Sequence, residues 1–321
     1  MKNKVIICFP TNGGVRQFTD ELYDKLKNDY TYDILGGKKT NRFKILKYLL
    51  YKEIIFSSNN ILVYLILPLI TRKITLILHD HKIRKGASFK EKLILNLFHI
   101  FRFRFNKVII HSKIDDDAIK LLKYKNVHYS YMPPHGMPKS PNYTINDYIP
   151  YTTPIKILCF GRIEKYKNFE YIANVISSNS NYTLTIAGSG EISEQLKHLI
   201  KKNHNITLLN KYILDHELTQ LMNTHHYLAL PYSDLTQTGL IELSGFFGKP
   251  IILSNIPAFM EYKNYSFCHY ISLDNIELAK KELDVLKDIN ETDYISLCNS
   301  SKNSFNSKIS SWATYIEALK Y

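Results

Sequence analysis

The chain has 321 residues, of which 45% are hydrophobic and 22% are charged. This balance excludes an intrinsically disordered protein, and the length is sufficient for two domains of common size, each with its own core. The formal net charge of +13 favours an anionic partner.

The two halves of the chain open with the same pattern of a strand, a turn and a helix. KVIICF is followed by Gly13, Gly14 and a helical pattern over residues 15–26, and KILCF is followed by Gly161 and a second helical pattern. Two such βα openings predict two Rossmann-like domains. We place the domains at residues 1–149 and 150–321, with a linker in the Pro-interrupted stretch 143–153.

The positive charge is concentrated in the first half. Residues 1–149 hold 26 Lys and Arg against 12 Asp and Glu, whereas residues 150–321 hold 16 against 17. In the stretches 38–52 and 81–107 these cations alternate with Phe, Leu and Tyr, a pattern typical of surfaces that adsorb to anionic membranes. Nucleic acid would also accept a basic domain, but the sequence contains no recognisable nucleic-acid module. A basic nucleic-acid-binding protein therefore stays only a remote alternative.

Several polar residues of the first half follow apolar runs. The run 61–70 is too short to span a membrane and contains a proline, so it predicts a strand and the start of a connection. His79 and His81 end another predicted strand, at the edge of a parallel sheet where ligands bind. They share a face with no assignable third ligand, which argues against a metal site. Asp115–Asp117 precede a helical pattern and predict its start.

The second half adds two motifs at strand ends. FGRIEKYKN follows the strand-like IKILCF and places Arg162 and Lys167 beyond its carboxyl end. Farther on, YTLTIAGSGE passes from alternating apolar residues through Gly188 into a helical pattern. Strand, glycine turn and helix together indicate βα units of a parallel sheet.

The segment PYSDLTQTGLIELSGFFGKPIILS places two carboxylates around a helix start. Asp234 and Glu242 are eight positions apart, and the apolar pattern predicts a helix that begins near Thr238. Unpaired backbone amides at such an end attract phosphate. Glu242 lies one turn into the helix, on the same face as Thr238, where it can accept hydrogen bonds from sugar hydroxyls. The segment therefore predicts a nucleotide-sugar site.

These motifs resemble the donor site of GT-B-fold glycosyltransferases, especially glycosyltransferase family 4, whose hallmark is two glutamates separated by seven residues. Here Asp234 stands for the first glutamate and Glu242 is the second, and Leu235, Thr236 and Gln237 replace the usual Pro-Phe-Gly. The resemblance implies an α/β GT-B fold, with two Rossmann-like domains that face each other across a cleft. It also implies a hexosyltransferase-type glycosyltransferase.

The resemblance assigns roles residue by residue. Arg162 and Lys167 are expected to hold the diphosphate, Asp234 to orient the sugar and Glu242 to bind the ribose. The amides of Thr238, Gly239 and Leu240 are expected to contact the diphosphate, and the backbone at Gly13 and Gly14 is expected to approach the donor. Gly188 is expected to form a turn at the site and Tyr212 to lie in the loop that faces the nucleobase. His79 is expected to contact the acceptor or the transferred sugar. The C-terminal SWATYIEALKY is expected to pack back toward the first domain.

The implied reaction transfers a sugar from a UDP-sugar or GDP-sugar, with retention, to a hydroxyl of a glycan or lipid-linked acceptor in cell-surface polysaccharide synthesis. No metal or cofactor is expected, because Arg162 and Lys167 would stabilise the charge that grows on the leaving phosphate. No protein base is demanded either, because that phosphate can take the acceptor proton. An inverting transferase, with Asp80 or His79 as its base, and a GT-B-fold sugar-nucleotide epimerase remain alternatives.

The expected location is cytoplasmic, peripheral on the inner face of the cell membrane. MKNKVIICFPTNGG has only a strand-length apolar segment, which argues against a signal peptide. The cysteines at 8, 159, 268 and 298 lack metal or redox spacing and are expected to be reduced thiols.

Overall fold

The computed structural model describes residues 3–36, 42–70, 72–83, 87–138 and 148–320, of which 42–45 are described for the backbone alone. The chain forms two compact units. The first comprises Met1–Gly136, Thr236–Gly239 and Ser310–Tyr321, and the second comprises Met137–Leu235 and Leu240–Ile309. The chain therefore passes from the first unit to the second after Gly136, whereas the predicted domain boundary lies at 149–150. Residues 139–147, which include the first part of the predicted linker, 143–147, lie outside the described part of the chain.

Strands and helices alternate along most of the chain. The strands are β1 Lys4–Cys8, β2 Thr31–Ile34, β3 Glu53–Phe56, β4 Lys73–Leu78, β5 Lys107–Ile110, β6 Val127–Tyr129, β7 Ile155–Phe160, β8 Tyr182–Ala187, β9 Ile206–Leu209, β10 Tyr227–Leu230, β11 Ile251–Ser254 and β12 Cys268–Ile271. The α-helices are α1 Gly14–Leu26, α2 Ile61–Ile66, α3 Phe89–Phe101, α4 Asp116–Leu121, α5 Phe169–Ile176, α6 Glu194–Lys202, α7 Asp215–Thr224, α8 Leu240–Phe246, α9 Ile276–Asp284, α10 Glu291–Ile309 and α11 Ser311–Lys320. Short 3₁₀ helices span Arg42–Leu50, Leu67–Leu69, Arg102–Arg104, Lys165–Lys167, Pro257–Tyr262 and Val285–Asp288.

The first unit is built on a parallel sheet. Its described strands follow the order β2-β1-β3-β4-β5-β6. One face is covered by α1, which buries Phe18 and Leu22, and by α11, whose Trp312 ring stacks on the Phe18 ring with 5.5 Å between centroids. The other face packs against α2, α3 and α4. Because helices cover both faces, the strands are almost continuously apolar, as in KVIIC and KITLIL.

The second unit repeats this architecture. Its described strands follow the order β12-β11-β10-β7-β8-β9, and all of their pairings are parallel. The helix α5 shows why this sequence folds locally as it does: Phe169, Ile172, Ala173 and Ile176 are spaced to form one apolar stripe, and all four are buried. The prediction of an α/β protein with two Rossmann-like parallel sheets is confirmed.

Strand order locates the ligand-binding edge of each sheet. In the first unit the order reverses between β1 and β3, and in the second it reverses between β7 and β10. In open α/β sheets, ligands bind beyond the carboxyl ends of the strands at such a switch point. In the second unit, the loops that follow β7 and β10 are therefore the natural place for a substrate.

Three local predictions can be compared directly with the structure. The prediction of a strand within 61–70 is wrong: these residues form α2 and the 3₁₀ helix Leu67–Leu69, because the Asn60 side chain accepts from the Leu62 amide and caps a helix. The helix predicted to begin near Thr238 begins at Leu240. The helix start at Asp115 is confirmed, since its carboxylate accepts from the Ala118 amide at 3.0 Å.

Candidate active site

Arg162 lies in the loop after β7, at the switch point of the second unit. Its side chain is 75% exposed, and Nη1 lies 3.3 Å from Oε1 of Glu164. The guanidinium is therefore at the carboxyl edge of the sheet and accessible to a ligand. An exposed ion pair of this kind is weak, so an anionic ligand can compete with it.

Lys167 lies in the same loop, but only 8% of its surface is exposed. Its Nζ would stand 2.6 Å from a Cβ built on Gly161, which has a φ of +112°. The missing side chain of Gly161 thus leaves the space that the ammonium occupies. Nζ also lies 5.8 Å from the ring centroid of Tyr232. Of the two predicted diphosphate ligands in this loop, Arg162 is exposed and Lys167 is buried.

Asp234 follows β10, the strand next to β7. The two loops are joined because the Ser233 amide donates to the Tyr166 carbonyl at 2.8 Å. The Asp234 carboxylate accepts from the Leu235 amide at 2.9 Å and is half-buried. The structure therefore brings Arg162, Lys167 and Asp234 together on two neighbouring loops.

Glu242 lies in the first turn of α8 and is 5% exposed. Its Oε1 lies 3.3 Å from Nζ of Lys308, near the end of α10. Sequence reasoning did not identify Lys308, which is 66 positions away from Glu242 in a helix without a recognisable motif.

Two further polar groups of this region were also missed. Oε2 of Glu164 and the hydroxyl of Tyr232 are buried, and neither has a hydrogen-bond partner among the described residues. Burial raises the pKa of Tyr232 well above its usual value, so the phenol keeps its proton. A buried acceptor and a buried hydroxyl beside the two cations are groups that a bound ligand can satisfy.

Gly188 and Tyr212 lie at the carboxyl ends of the next two strands. Gly188 has a φ of +153°, and a Cβ there would stand 2.0 Å from the carbonyl oxygen of Gly161. Close packing of two backbones therefore demands this glycine, whether or not a ligand does. Tyr212 follows β9 and is 68% exposed. Their predicted contacts with a nucleotide stay predictions.

In the first unit, His79 ends β4 and is buried. Its Nε2 donates to the Ser57 carbonyl at 2.9 Å, and its Nδ1 accepts from the side-chain amide of Gln237 at 2.8 Å. Beside it, the Thr236 hydroxyl donates to Asp80 at 2.7 Å. Burial, with a smaller contribution from His135, lowers the pKa of His79 to about 3. His79 is thus a neutral imidazole with both nitrogens bonded, and its role toward the acceptor stays a prediction.

The remaining predicted residues of the first unit differ in their surroundings. Gly13, with a φ of +86°, caps α1, and Gly14 is its first residue. A Cβ at either position would meet no described atom within 4 Å, so this turn is open. Thr238 and Gly239 belong to this unit, and a Cβ on Gly239 would stand 3.4 Å from the His135 ring. Leu240 begins the second unit's α8.

The neutral state of His79 predicts a pH-dependent stability. An exposed histidine has a pKa of ~6.5, so below that pH His79 binds a proton in the unfolded chain. In the folded chain it stays neutral until the pH approaches 3. The resulting stability is complete above pH ~6.5 and is lost as the pH falls, by about 2 kcal/mol near pH 5. We expect the stability of His79→Gln, whose amide can still donate to Ser57, to depend less on pH. Between neutral pH and pH ~5, its free energy of unfolding should fall by about 2 kcal/mol less than that of the wild type.

The measurement is urea unfolding at the two pH values, followed by fluorescence of Trp312. It is the single tryptophan of the chain and lies in the core of the first unit, with His79. The remaining buried histidines titrate in both proteins and cancel in the difference. Equal pH dependence in the variant and the wild type would show that His79 is already charged or exposed.

The second half of the chain resembles a known protein family in sequence. Residues 145–295 match the family model for glycosyl transferases group 1. No curated protein matches the sequence. The family match covers Arg162, Lys167, Asp234 and Glu242, and it confirms the prediction that the chain is an enzyme, a glycosyltransferase of hexosyltransferase type.

Solved structures resemble the chain over its whole length. Alr3699/HepE from Anabaena, in complex with UDP and glucose, has a TM-score of 0.77 at 11% identity, with 99% of each chain covered. The sucrose-phosphate synthase of Thermosynechococcus elongatus has a TM-score of 0.75 at 11% identity, covering 99% of this chain and 98% of that one. A glycosyltransferase from Rickettsia africae has a TM-score of 0.71 at 16% identity, again covering 99% and 98%. These likenesses confirm the GT-B fold prediction.

Proposed function

We propose that this enzyme transfers a sugar from a nucleoside diphosphate sugar to a hydroxyl of a glycan or lipid-linked acceptor, with retention and without a metal. The observation that supports this most is the pair of cations, Arg162 and Lys167, on one loop at the switch point of the second unit. The Anabaena relative, solved with UDP and glucose, supports a UDP-linked donor. A GDP-linked donor is the second choice.

The chemistry of the leaving group explains why two cations are needed. When the bond between sugar and diphosphate breaks, negative charge grows on the phosphate, and fixed positive groups stabilise it in the transition state. Lys167 supplies a positionally fixed ammonium, and Arg162 supplies a planar guanidinium that can bind two oxygens at once. Asp234, on the neighbouring loop, orients the transferred sugar.

Retention distinguishes the proposal from its nearest alternatives. In a retaining reaction the leaving phosphate accepts the proton of the incoming hydroxyl, so no protein base is required. The first unit offers little as a base: burial lowers the pKa of His79 to about 3 and both of its nitrogens are bonded. Asp80 remains the base that an inverting reaction would use.

The experiment is to follow UDP-sugars and GDP-sugars by NMR, with and without simple sugar acceptors. Retention predicts a product whose anomeric configuration equals that of the donor. The opposite configuration would establish an inverting transferase, and conversion of the donor to its epimer without acceptor would establish an epimerase. Stability of every donor, with no nucleotide released, would refute the proposal.

We also propose that the enzyme is a cytoplasmic protein of cell-surface polysaccharide synthesis that binds the inner membrane face peripherally. Among the described helices, none combines the length and apolarity that a bilayer span requires. The first unit, however, has a set of exposed apolar side chains on α2, α3 and the 3₁₀ helices that follow them. Its members are 59–73% exposed: Leu65, Leu69, Ile100 and Phe103. We call it the α2–α3 surface.

The helices that carry the α2–α3 surface pack against each other. The Arg104 guanidinium donates to the carbonyls of Leu67 and Ile70 at 3.3 and 3.4 Å, and the rings of Tyr64 and Phe101 are 6.1 Å apart. Arg102 and Arg104 flank Phe103 in the sequence, so the same segment carries cations and an exposed apolar side chain. Each cation near an anionic bilayer contributes about 1 kcal/mol, while the apolar side chains insert between headgroups.

Vesicle flotation tests this surface. We expect the wild type to float with phosphatidylglycerol vesicles but not with phosphatidylcholine vesicles, and Ile100→Ser/Phe103→Ser to lose most of that binding. The matched control is Leu278→Ser/Val285→Ser, which removes two exposed apolar residues of the second unit and should float as the wild type does. Equal flotation of both double variants would contradict the proposal.

A further inference from the structure

Lys308 is placed beside Glu242 by close packing between two helices of the second unit. A Cβ on Gly245 of α8 would stand 2.7 Å from Cβ of Phe305 and 2.9 Å from the Ser301 carbonyl oxygen, both on α10. Only a glycine allows this approach. Glu242 lies one turn before Gly245, and Lys308 lies one turn after Phe305. The contact between the two helices therefore brings Lys308 and Glu242 together.

The lysine is fixed by more than its ion pair. Its Nζ lies 3.3 Å from Oε1 of Glu242, and 5.1 Å and 5.7 Å from the ring centroids of Tyr262 and Tyr265. Its side chain is 14% exposed and that of Glu242 is 5% exposed. In such surroundings a long lysine side chain has little freedom, and the carboxylate it holds has little freedom as well.

The orientation of the Glu242 carboxylate decides which groups of a ligand it can reach, because its oxygens accept hydrogen bonds along their lone-pair directions. Recognition of a ribose diol requires an acceptor, and hydrogen bonds to a charged acceptor are the stronger ones. A nearby cation that keeps Glu242 in one orientation would therefore determine how well it binds ribose.

We propose that Lys308 is a positioning residue that holds the carboxylate of Glu242 oriented toward the ribose hydroxyls of the nucleotide. The proposal rests on the proposed function, because the ligand must be a nucleoside diphosphate. Lys308 acts through Glu242 and not through the phosphates. Its effect must therefore depend on the hydroxyls of the ribose, and this dependence is what an experiment can isolate.

The test compares the affinities of UDP and 2′,3′-dideoxy-UDP by titration calorimetry in the wild type, Glu242→Gln and Lys308→Met. We expect the wild type to prefer UDP by about 10-fold to 100-fold, the range for hydrogen bonds to a charged group. In Lys308→Met we expect this preference to fall to about 3-fold or less, with the affinity for the dideoxy nucleotide nearly unchanged. Lys308→Arg should restore the preference.

Control measurements distinguish positioning of Glu242 from a direct phosphate contact and from a purely structural role of Lys308. Lys302→Met, on the same helix, should keep the wild-type preference. Equal losses for both nucleotides in a folded Lys308→Met protein would show a phosphate contact or a structural role, and would overturn the inference. So would a wild type that binds UDP without any preference for ribose. If the wild type binds neither UDP nor GDP, the proposed function fails together with the inference.

Discussion

Replacing Arg162 with alanine is expected to lower kcat for sugar transfer by about 10²-fold to 10³-fold, the usual effect of removing one donor that stabilises transition-state charge. The melting temperature should stay nearly unchanged, because the side chain is 75% exposed and its ion pair with Glu164 is a surface pair. The measurement is steady-state transfer from the donor identified by NMR, with thermal unfolding of the same samples.

The matched control for Arg162→Ala is Lys165→Ala. Lys165 is an exposed cation of the same loop, so its removal changes the charge of the loop by the same amount. The two variants would lose the same amount of transfer activity only if Arg162 acted through the general charge of the loop. Undiminished transfer by Arg162→Ala would remove the loop after β7 from the catalytic site.

Gly188→Ala is expected to destabilise the second unit by about 4 kcal/mol or more. Its methyl group would stand 2.0 Å from the carbonyl oxygen of Gly161, on a backbone with a φ of +153°, so β7 and β8 must move apart or the turn must change. We expect the midpoint of thermal unfolding to fall by about 10 °C, or folding to fail. The measurement is scanning calorimetry of the whole chain.

Gly14→Ala provides the contrast. A Cβ at Gly14 would meet no described atom within 4 Å, and the residue lies in the first turn of α1. Alanine should keep the stability or raise it by about 0.5–1 kcal/mol. Any loss of function in this variant should therefore come from weaker ligand binding and appear as a higher KM for the donor. A large loss of stability in Gly14→Ala, or a harmless Gly188→Ala, would contradict the packing described for these turns.

The sequence predicted those parts of the protein that depend on local patterns. The βα openings of both halves, with Gly13 and Gly14 in one turn and Arg162 and Lys167 in the other, follow from apolar runs and the residues just after them. The run 61–70 shows the limit of such patterns. A short, continuously apolar segment has no period that separates a strand from a helix, and here the cap at Asn60 decided for the helix.

Contacts between distant positions could not be predicted. Lys308 meets Glu242 across 66 positions, and Gln237 meets His79 across 158. Each pair is formed by helix packing or by a loop returning to the first unit, and a single sequence gives no local signal for either. The burial of Lys167 against Gly161 could not be predicted either, because a lysine in a Lys-rich loop is expected to be exposed.

A crystal structure of the protein soaked with UDP or GDP tests the donor site most directly. We expect the diphosphate to lie at the loop after β7, with Arg162 and Lys167 within hydrogen-bonding distance of its oxygens and with the ribose at Glu242. A nucleotide bound elsewhere, or an empty loop at a saturating nucleotide concentration, would contradict this expectation.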